Sequence, residues 1–360
     1  MIILSNEDVE QLLTHEDCME SLEVAYKELF LGLGANRPRT HTYFPLQNSV
    51  SGQKLHYRFK SQEGGNLSNH IWALRISSEL MGEQTLPNGV INKKLIPAAS
   101  GNKYCGLIYL YSTENIEPIA IIQDSYIQRM RCSATSALGI KYLANPNIEV
   151  AGLFGCGWQA ASHLEFLIKL RPNVKEIRVF SPITHECDDF VEKYKRILNK
   201  NILVAKSPNE VVFDSDLIIC ATNSSIPCFD GRLVKKGTHI STITHPDGVI
   251  YKREIDDETY DKANKIVVLS KDQLSLDKQI DILGVVKRGL KKDDDIIELG
   301  ALISGKNSGR ESSEDITIFA NNTGMGIQFA AVGSAVLKLA KKKGVGREVP
   351  TDWFLESTPS

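Results

Sequence analysis

Apolar positions follow two rhythms along the chain, and the change between them divides it. Near the start they fall at helical spacing. Ser5 and Asp8 make a capping-box pattern before Val9, Leu12 and Leu13, and Thr14 with Asp17 opens a second helix carrying Met19, Leu22, Ala25, Leu29 and Phe30. Gly32 and Gly34 end it. Beyond residue 39 the pattern turns to short alternating or apolar runs, at 40–46, 54–59, 71–76, 106–111 and 116–122. Ser112-Thr113-Glu114-Asn115 joins the last two as a hairpin-like turn, so this stretch predicts a mostly antiparallel sheet. Asp124 is placed to cap a helix running to about Leu143, with Ser133, Ala134, Ser136 and Ala137 as a small-residue face.

Strands then alternate with helices: strand 149–154, helix 159–170, strand 176–180, helix 185–198, and strands at 202–205, 216–221, 238–243 and 265–269. This is the signature of a parallel, doubly wound α/β sheet. A last helix, 326–343, has Phe329, Val332, Val336 and Leu339 at helical spacing and ends in three lysines and Gly344.

Composition narrows the class. With 360 residues, 42% apolar and 24% charged, the chain can bury two cores, and disorder, collagen and coiled coil are excluded. Lys plus Arg total 42 against 44 Asp plus Glu, so a nucleic-acid partner is not expected. The lysine-rich stretches 271–278 and 287–292 are mixed with Asp and read as solvated faces. The seven cysteines form no C-x-x-C pair, the first residues turn acidic before an apolar run develops, and the last apolar stretch breaks at Lys338, short of the roughly 18 residues of a membrane span. The expectation is a cytoplasmic protein with no membrane partner. No histidine pair has metal-ligand spacing, so no metal is expected.

Gly155-Cys156-Gly157-Trp158-Gln159-Ala160 fits the dinucleotide pattern G-x-G-x-x-G/A, after an apolar strand and before a helix. Gly155 would make the tight turn, Gly157 would admit a pyrophosphate, and Ala160 would let the helix pack. The amides near Trp158, Gln159 and Ala160 would hold the phosphates. An acid about 20 residues on would grip the ribose of NAD. Instead the second strand ends in Ser181-Pro182-Ile183-Thr184, so Ser181 and Thr184 favour NADP(H) over NAD(H). Thr222 and Asn223 close the fourth strand where a loop would border the nicotinamide ribose.

Further residues resemble the ornithine cyclodeaminase and mu-crystallin family: Arg131-Cys132-Ser133-Ala134-Thr135-Ser136-Ala137-Leu138, Glu298-Leu299-Gly300, Gly305-Lys306, Gly309-Arg310, and Asp315-Ile316-Thr317-Ile318-Phe319 before Thr323-Gly324. Cys132 stands where the pattern has threonine. The resemblance runs from about residue 1 to 345. It implies a Rossmann sheet, 131–324, inserted into an α+β substrate-binding and dimerisation domain, 1–130 plus 325–360. It implies homodimers using a nicotinamide cofactor on small amino or imino acids, as cyclodeaminases, ketimine reductases or alanine dehydrogenases. A crystallin member also binds a hormone.

In that resemblance Arg39 and Arg131 hold the substrate carboxylate, and a strand position that is commonly lysine is here Arg75. A guanidinium does not give up a proton readily, so Arg75 is expected to bind rather than to shuttle. Cyclodeaminases supply an aspartate after the fifth Rossmann strand. The corresponding stretch here makes Asp247 the first candidate for proton transfer and His245 the second. The expected function is an NAD(P)-dependent oxidoreductase acting on a small imino or amino acid. An ornithine cyclodeaminase ranks behind it, because Arg75 and the aspartate loop depart from that pattern and Gln328-Phe329 replaces an acidic pair. The reading from another class is a non-catalytic, crystallin-like binder of nucleotide and small ligand.

Overall fold

The computed structural model describes residues 1–46, 55–85, 91–246 and 251–357. They form two compact units. The first comprises 1–17, 32–128 and 324–360, the second 18–31 and 129–323.

The first unit opens with β1 (Ile2–Leu4) and α1 (Asn6–Leu12). The capping box forms: Asp8 N–H donates to Ser5 Oγ at 3.2 Å, and Ser5 N–H to Asp8 Oδ2 at 2.8 Å. Helix α2 (His15–Phe30) starts on Thr14, whose Oγ1 accepts from Asp17 N–H at 3.1 Å, and is followed by Gly32 at φ +75°. Residues 18–31 group with the second unit and not with the first, where the expected boundaries put them. There the Tyr26 hydroxyl bonds to that of Thr135, and Gly300 leaves room for Tyr26 and Phe30.

Strands β2 (Gly34–Pro45), β3 (Leu55–Asn66), β4 (Ile71–Thr85), β5 (Ile91–Ile96), β6 (Cys105–Ser112) and β7 (Pro118–Gln123) follow. The pairs β2–β3, β3–β4, β4–β6 and β6–β7 are antiparallel, and β5 pairs with the far end of β4. Strands β3 and β4 outrun their apolar patterns because their inward face changes from apolar to charged. Helix α3 (Ser125–Leu143) comes next. Asp124 does not cap it. The amides of Ser125 and Tyr126 donate instead to Gln123 Oε1 at 2.9 Å and Asn6 Oδ1 at 3.0 Å, while the Asp124 carboxylate turns to Arg75.

The second unit runs through β8 (Val150–Phe154), α4 (Trp158–Leu170), β9 (Glu176–Phe180), α5 (Thr184–Leu198), β10 (Ile202–Val204), α6 (Pro208–Val212) and β11 (Leu217–Cys220). It continues with β12 (His239–Thr242), α7 (Asp257–Lys262), β13 (Lys265–Val268), α8 (Lys271–Leu276), α9 (Ile280–Lys287), β14 (Ile296–Glu298), α10 (Leu299–Ile303) and β15 (Thr317–Ala320). Among the described residues these strands make one parallel sheet in the order β10-β9-β8-β11-β12-β15-β13-β14. Every residue of β11, β12 and β15 is buried, as strands covered on both faces require. Its first five strands have the doubly wound Rossmann order.

The chain then returns to the first unit as α11 (Gly326–Lys343) and β16 (Arg347–Glu348), completing the order β16-β1-β7-β6-β4-β3-β2. Helix α11 ends at Gly344, φ +66°, after its three lysines. It packs on β3 and β4, and a side chain at Gly326 would strike the Glu63 backbone. Among the described residues no helix is long and apolar enough to cross a membrane.

Candidate active site

In the second unit the chain leaves β8 through Gly155 at φ +102°. Its N–H donates to Phe180 O at 2.9 Å, and a Cβ there would lie 2.5 Å from Ala221 O. The turn therefore sits at the carboxyl ends of β9, β8 and β11, where the strand order reverses and open α/β sheets take their ligands. Gly157 caps α4, and a Cβ built on it meets nothing within 4 Å. The first amides of the helix are thus open to an anion. Ala160 is fully buried against the sheet, Trp158 is exposed, and the buried Gln159 Oε1 has no partner among the described residues. These residues fit a dinucleotide pyrophosphate. Ser181 and Thr184 stand at the end of β9, with Ser181 Oγ accepting from Ile183 N–H at 3.4 Å and Thr184 exposed at the start of α5.

Glu254, which carries no sequence signal, organises the loops beyond β11 and β12. Thr222 donates to its Oε1 through N–H at 2.7 Å and Oγ1 at 2.8 Å, and the amides of Ile243 and Thr244 donate to Oε2 at 2.8 and 2.9 Å. Burial pushes this carboxyl up to about 7 against those four hydrogen bonds. Asn223 is exposed beside Thr222. His245 is buried with both ring nitrogens engaged, Nδ1 with Asp281 Oδ2 at 2.7 Å and Nε2 with Thr242 Oγ1 at 3.1 Å. These two bonds tie the ring to Asp281 and to the end of β12. Asp247 lies outside the described residues. Arg131 is buried on α3, and Asn321 Nδ2 donates to the neighbouring Cys132 O at 2.9 Å.

In the first unit the pleat brings charged residues of three strands to one face. Across β3 and β4 the partners are Arg58 with Glu79, Lys60 with Ser77, and Gln62 with Arg75; on β2, Tyr43 and His41 pair with Arg58 and Lys60. Arg75 is buried, and its fork is already held: Nε and NH2 reach Asp124 Oδ2 at 2.8 and 2.6 Å, and NH1 donates to Gln62 Oε1 at 3.1 Å and Ser77 Oγ at 3.2 Å. Its guanidinium also lies 5.6 Å from the Phe329 ring centre. Gly106 makes this pair possible, since a Cβ there would come within 2.2 Å of Asp124 Oδ1. Arg58 forms a second buried pair with Glu79. Arg39 is half-buried on β2, close enough to Lys60 to act on its charge. Lys60, Arg58 and Glu79 match no motif and were not singled out by sequence. Only strand alternation marks them, and it does so once the register is known.

The family profile described as "Ornithine cyclodeaminase/mu-crystallin family" matches residues 96–344. The chain belongs to this family. It is 31% identical over 247 residues to a Δ1-pyrroline-2-carboxylate reductase of Bacillus cereus, a match covering 68% of this chain and 74% of that one. Among solved structures it is similar to a Thermococcus litoralis Δ1-pyrroline-2-carboxylate reductase in complex with NADH and L-proline, with a TM-score of 0.80, 26% identity and 97% and 100% of the two chains covered. It is also similar to an archaeal alanine dehydrogenase dimer with bound NAD, with a TM-score of 0.77, 27% identity and 97% and 99% covered. The family's two-part α/β architecture and the position of the glycine turn in this chain agree with those likenesses.

Proposed function

We propose that this family member is an NAD(P)-dependent oxidoreductase acting on the C–N bond of a small imino or amino acid. The observation that carries the reading is the open helix end at Gly157, reached through the tight Gly155 turn at the reversal point of the parallel sheet. The similarity to imine reductases and an alanine dehydrogenase supports the C–N bond as the reacting group.

The α4 amides would hold the pyrophosphate, and Thr222, fixed by Glu254, would border the ribose. A bound nicotinamide supplies or takes up a hydride at the carbon of the C–N bond. Arg39 and the remaining N–H of Arg75 would orient the carboxylate, and family resemblance gives Arg131 the same task. With its fork held by Asp124, Arg75 is a rigid, pre-oriented donor rather than a mobile one. The first unit would bind substrate and dimerise, the second would bind cofactor. The archaeal relative is a dimer, and Phe44 and Phe59, exposed on the outward face of β2 and β3, support self-association. Seven free thiols suit a cytoplasmic home.

We further infer a preference for NADP(H), because Ser181 and Thr184 occupy the end of β9 without a carboxylate to repel a 2′-phosphate. The test is loss of reduced-nicotinamide absorbance with cyclic imino acids, or with 2-oxo acids plus amines, using each cofactor. Turnover with NADPH, shifted toward NADH by Ser181→Asp, is the expected result. Cofactor binding without turnover would point to a crystallin-like binder, and ornithine conversion to proline without net loss of reduced cofactor to a cyclodeaminase.

A further inference from the structure

Lys60 lies on the charged face of β3, diagonal to Arg75 across β4. Its side chain is 18% exposed, and its nearest carboxylate oxygen among the described residues is Glu79 Oε1 at 3.8 Å, beyond hydrogen-bond reach. That carboxylate is already engaged, by Arg58 and by Ser77 Oγ at 2.9 Å. The other charged or titratable groups around Lys60 are Arg39, His41 and Tyr43 on β2, Arg58 beside it, Arg75 on β4 and, behind Arg75, Asp124. Helix α11, packed on the same strands, brings no titratable side chain before Lys338. Among the described residues Lys60 is thus an ammonium whose carboxylate neighbour, Glu79, stays beyond hydrogen-bond reach, in a cluster whose guanidinium groups keep their protons.

We propose that Lys60 is the proton donor to the imine nitrogen of the substrate, and the acceptor in the reverse direction. The assignment rests on the imino-acid reductase reading above. It places the proton-transfer amine one strand away from Arg75, at a residue that can release a proton where arginine cannot. An N–H bond of the Lys60 ammonium breaks, its electron pair stays on Nζ, and the proton forms the new bond to the imine nitrogen. The resulting iminium carbon would then take the hydride that a bound nicotinamide would supply, giving the amine, and Lys60 regains a proton from solvent. Burial, partly offset by Glu79 and reinforced by Arg58, Arg75 and Arg39, lowers Lys60 to about 7, within the range where a general acid works best.

Two measurements test this. Competitive acylation of the free protein, read by peptide mass spectrometry across pH, should give Lys60 a midpoint near 7; a midpoint in the ordinary lysine range overturns the proposal. For Lys60→Arg, kcat of imine reduction should fall by about 10²- to 10³-fold with KM changed by less than about 3-fold. In the wild type kcat/KM should decline above about pH 7, and the variant should lack that limb. Lys60→Met provides the same comparison if the arginine variant does not fold. Unchanged kcat, or a raised KM with kcat retained, overturns the proposal, the second result making Lys60 an anion-binding group. A wild-type protein that reduces no imino acid refutes the functional reading itself and this assignment with it, whereas turnover unaffected by the substitutions refutes Lys60 alone.

Discussion

A lysine at position 75 would offer a single ammonium, while arginine offers a planar fork whose Nε, NH1 and NH2 groups here engage Asp124, Gln62 and Ser77. Both members of the Arg75–Asp124 pair are buried, so removing the carboxylate strands a cation away from water. Asp124→Ala should cost about 3–5 kcal/mol in denaturant unfolding; a loss below about 1 kcal/mol would show that the pair is not the anchor described here. This partnership could not be read from sequence. A carboxylate just before a helix looks the same whether it caps that helix or reaches across a sheet, and Asp124 does the second. Arg75 and Arg131 could be picked out because they sit in recognisable runs. Lys60, Glu79 and Glu254 could not, since their significance comes from neighbours in space: Lys60 from its cross-strand guanidinium groups, Glu254 from four donors on two separate loops.

Elements that satisfy local requirements were the readable ones. The strand, G-x-G turn and helix around Gly155 are contiguous, and each glycine answers a demand of its own turn. Gly155 adopts φ +102° against Ala221 O, and Gly157 leaves the helix end bare. The two should therefore respond differently to substitution. Gly157→Val should leave the unfolding midpoint nearly unchanged and weaken binding of the reduced nicotinamide cofactor at least about tenfold in a fluorescence titration, because a Cβ there meets nothing within 4 Å. Gly155→Val should lower the unfolding midpoint itself, through both the backbone conformation and the clash. Undiminished binding by Gly157→Val would remove the turn from the cofactor site. By contrast β3 and β4 extend past their apolar runs because Arg58, Lys60, Gln62, Arg75, Ser77 and Glu79 occupy the inward face, where an alternation rule expects apolar side chains. β15 was marked only by the family motif that contains it.

At the scale of the whole chain, one polypeptide leaves the first unit within α3 and returns to it before α11. The change of rhythm locates the parallel sheet but does not show that residues 18–31 join it, because α2 has an ordinary amphipathic pattern whichever unit it packs on. The cofactor turn belongs to one unit and the charged sheet face to the other, and the central claim of the account is hydride transfer between a nicotinamide and a C–N bond. Its most direct test is isotope transfer: incubate the protein with NADPH or NADH in which both hydrogens at C4 of the nicotinamide are deuterium, together with a cyclic imino acid, then examine the product by mass spectrometry. The account predicts one deuterium at the α-carbon of the amino acid formed, with one cofactor oxidised per product. Product without deuterium, or formed without net oxidation of the cofactor, would contradict it.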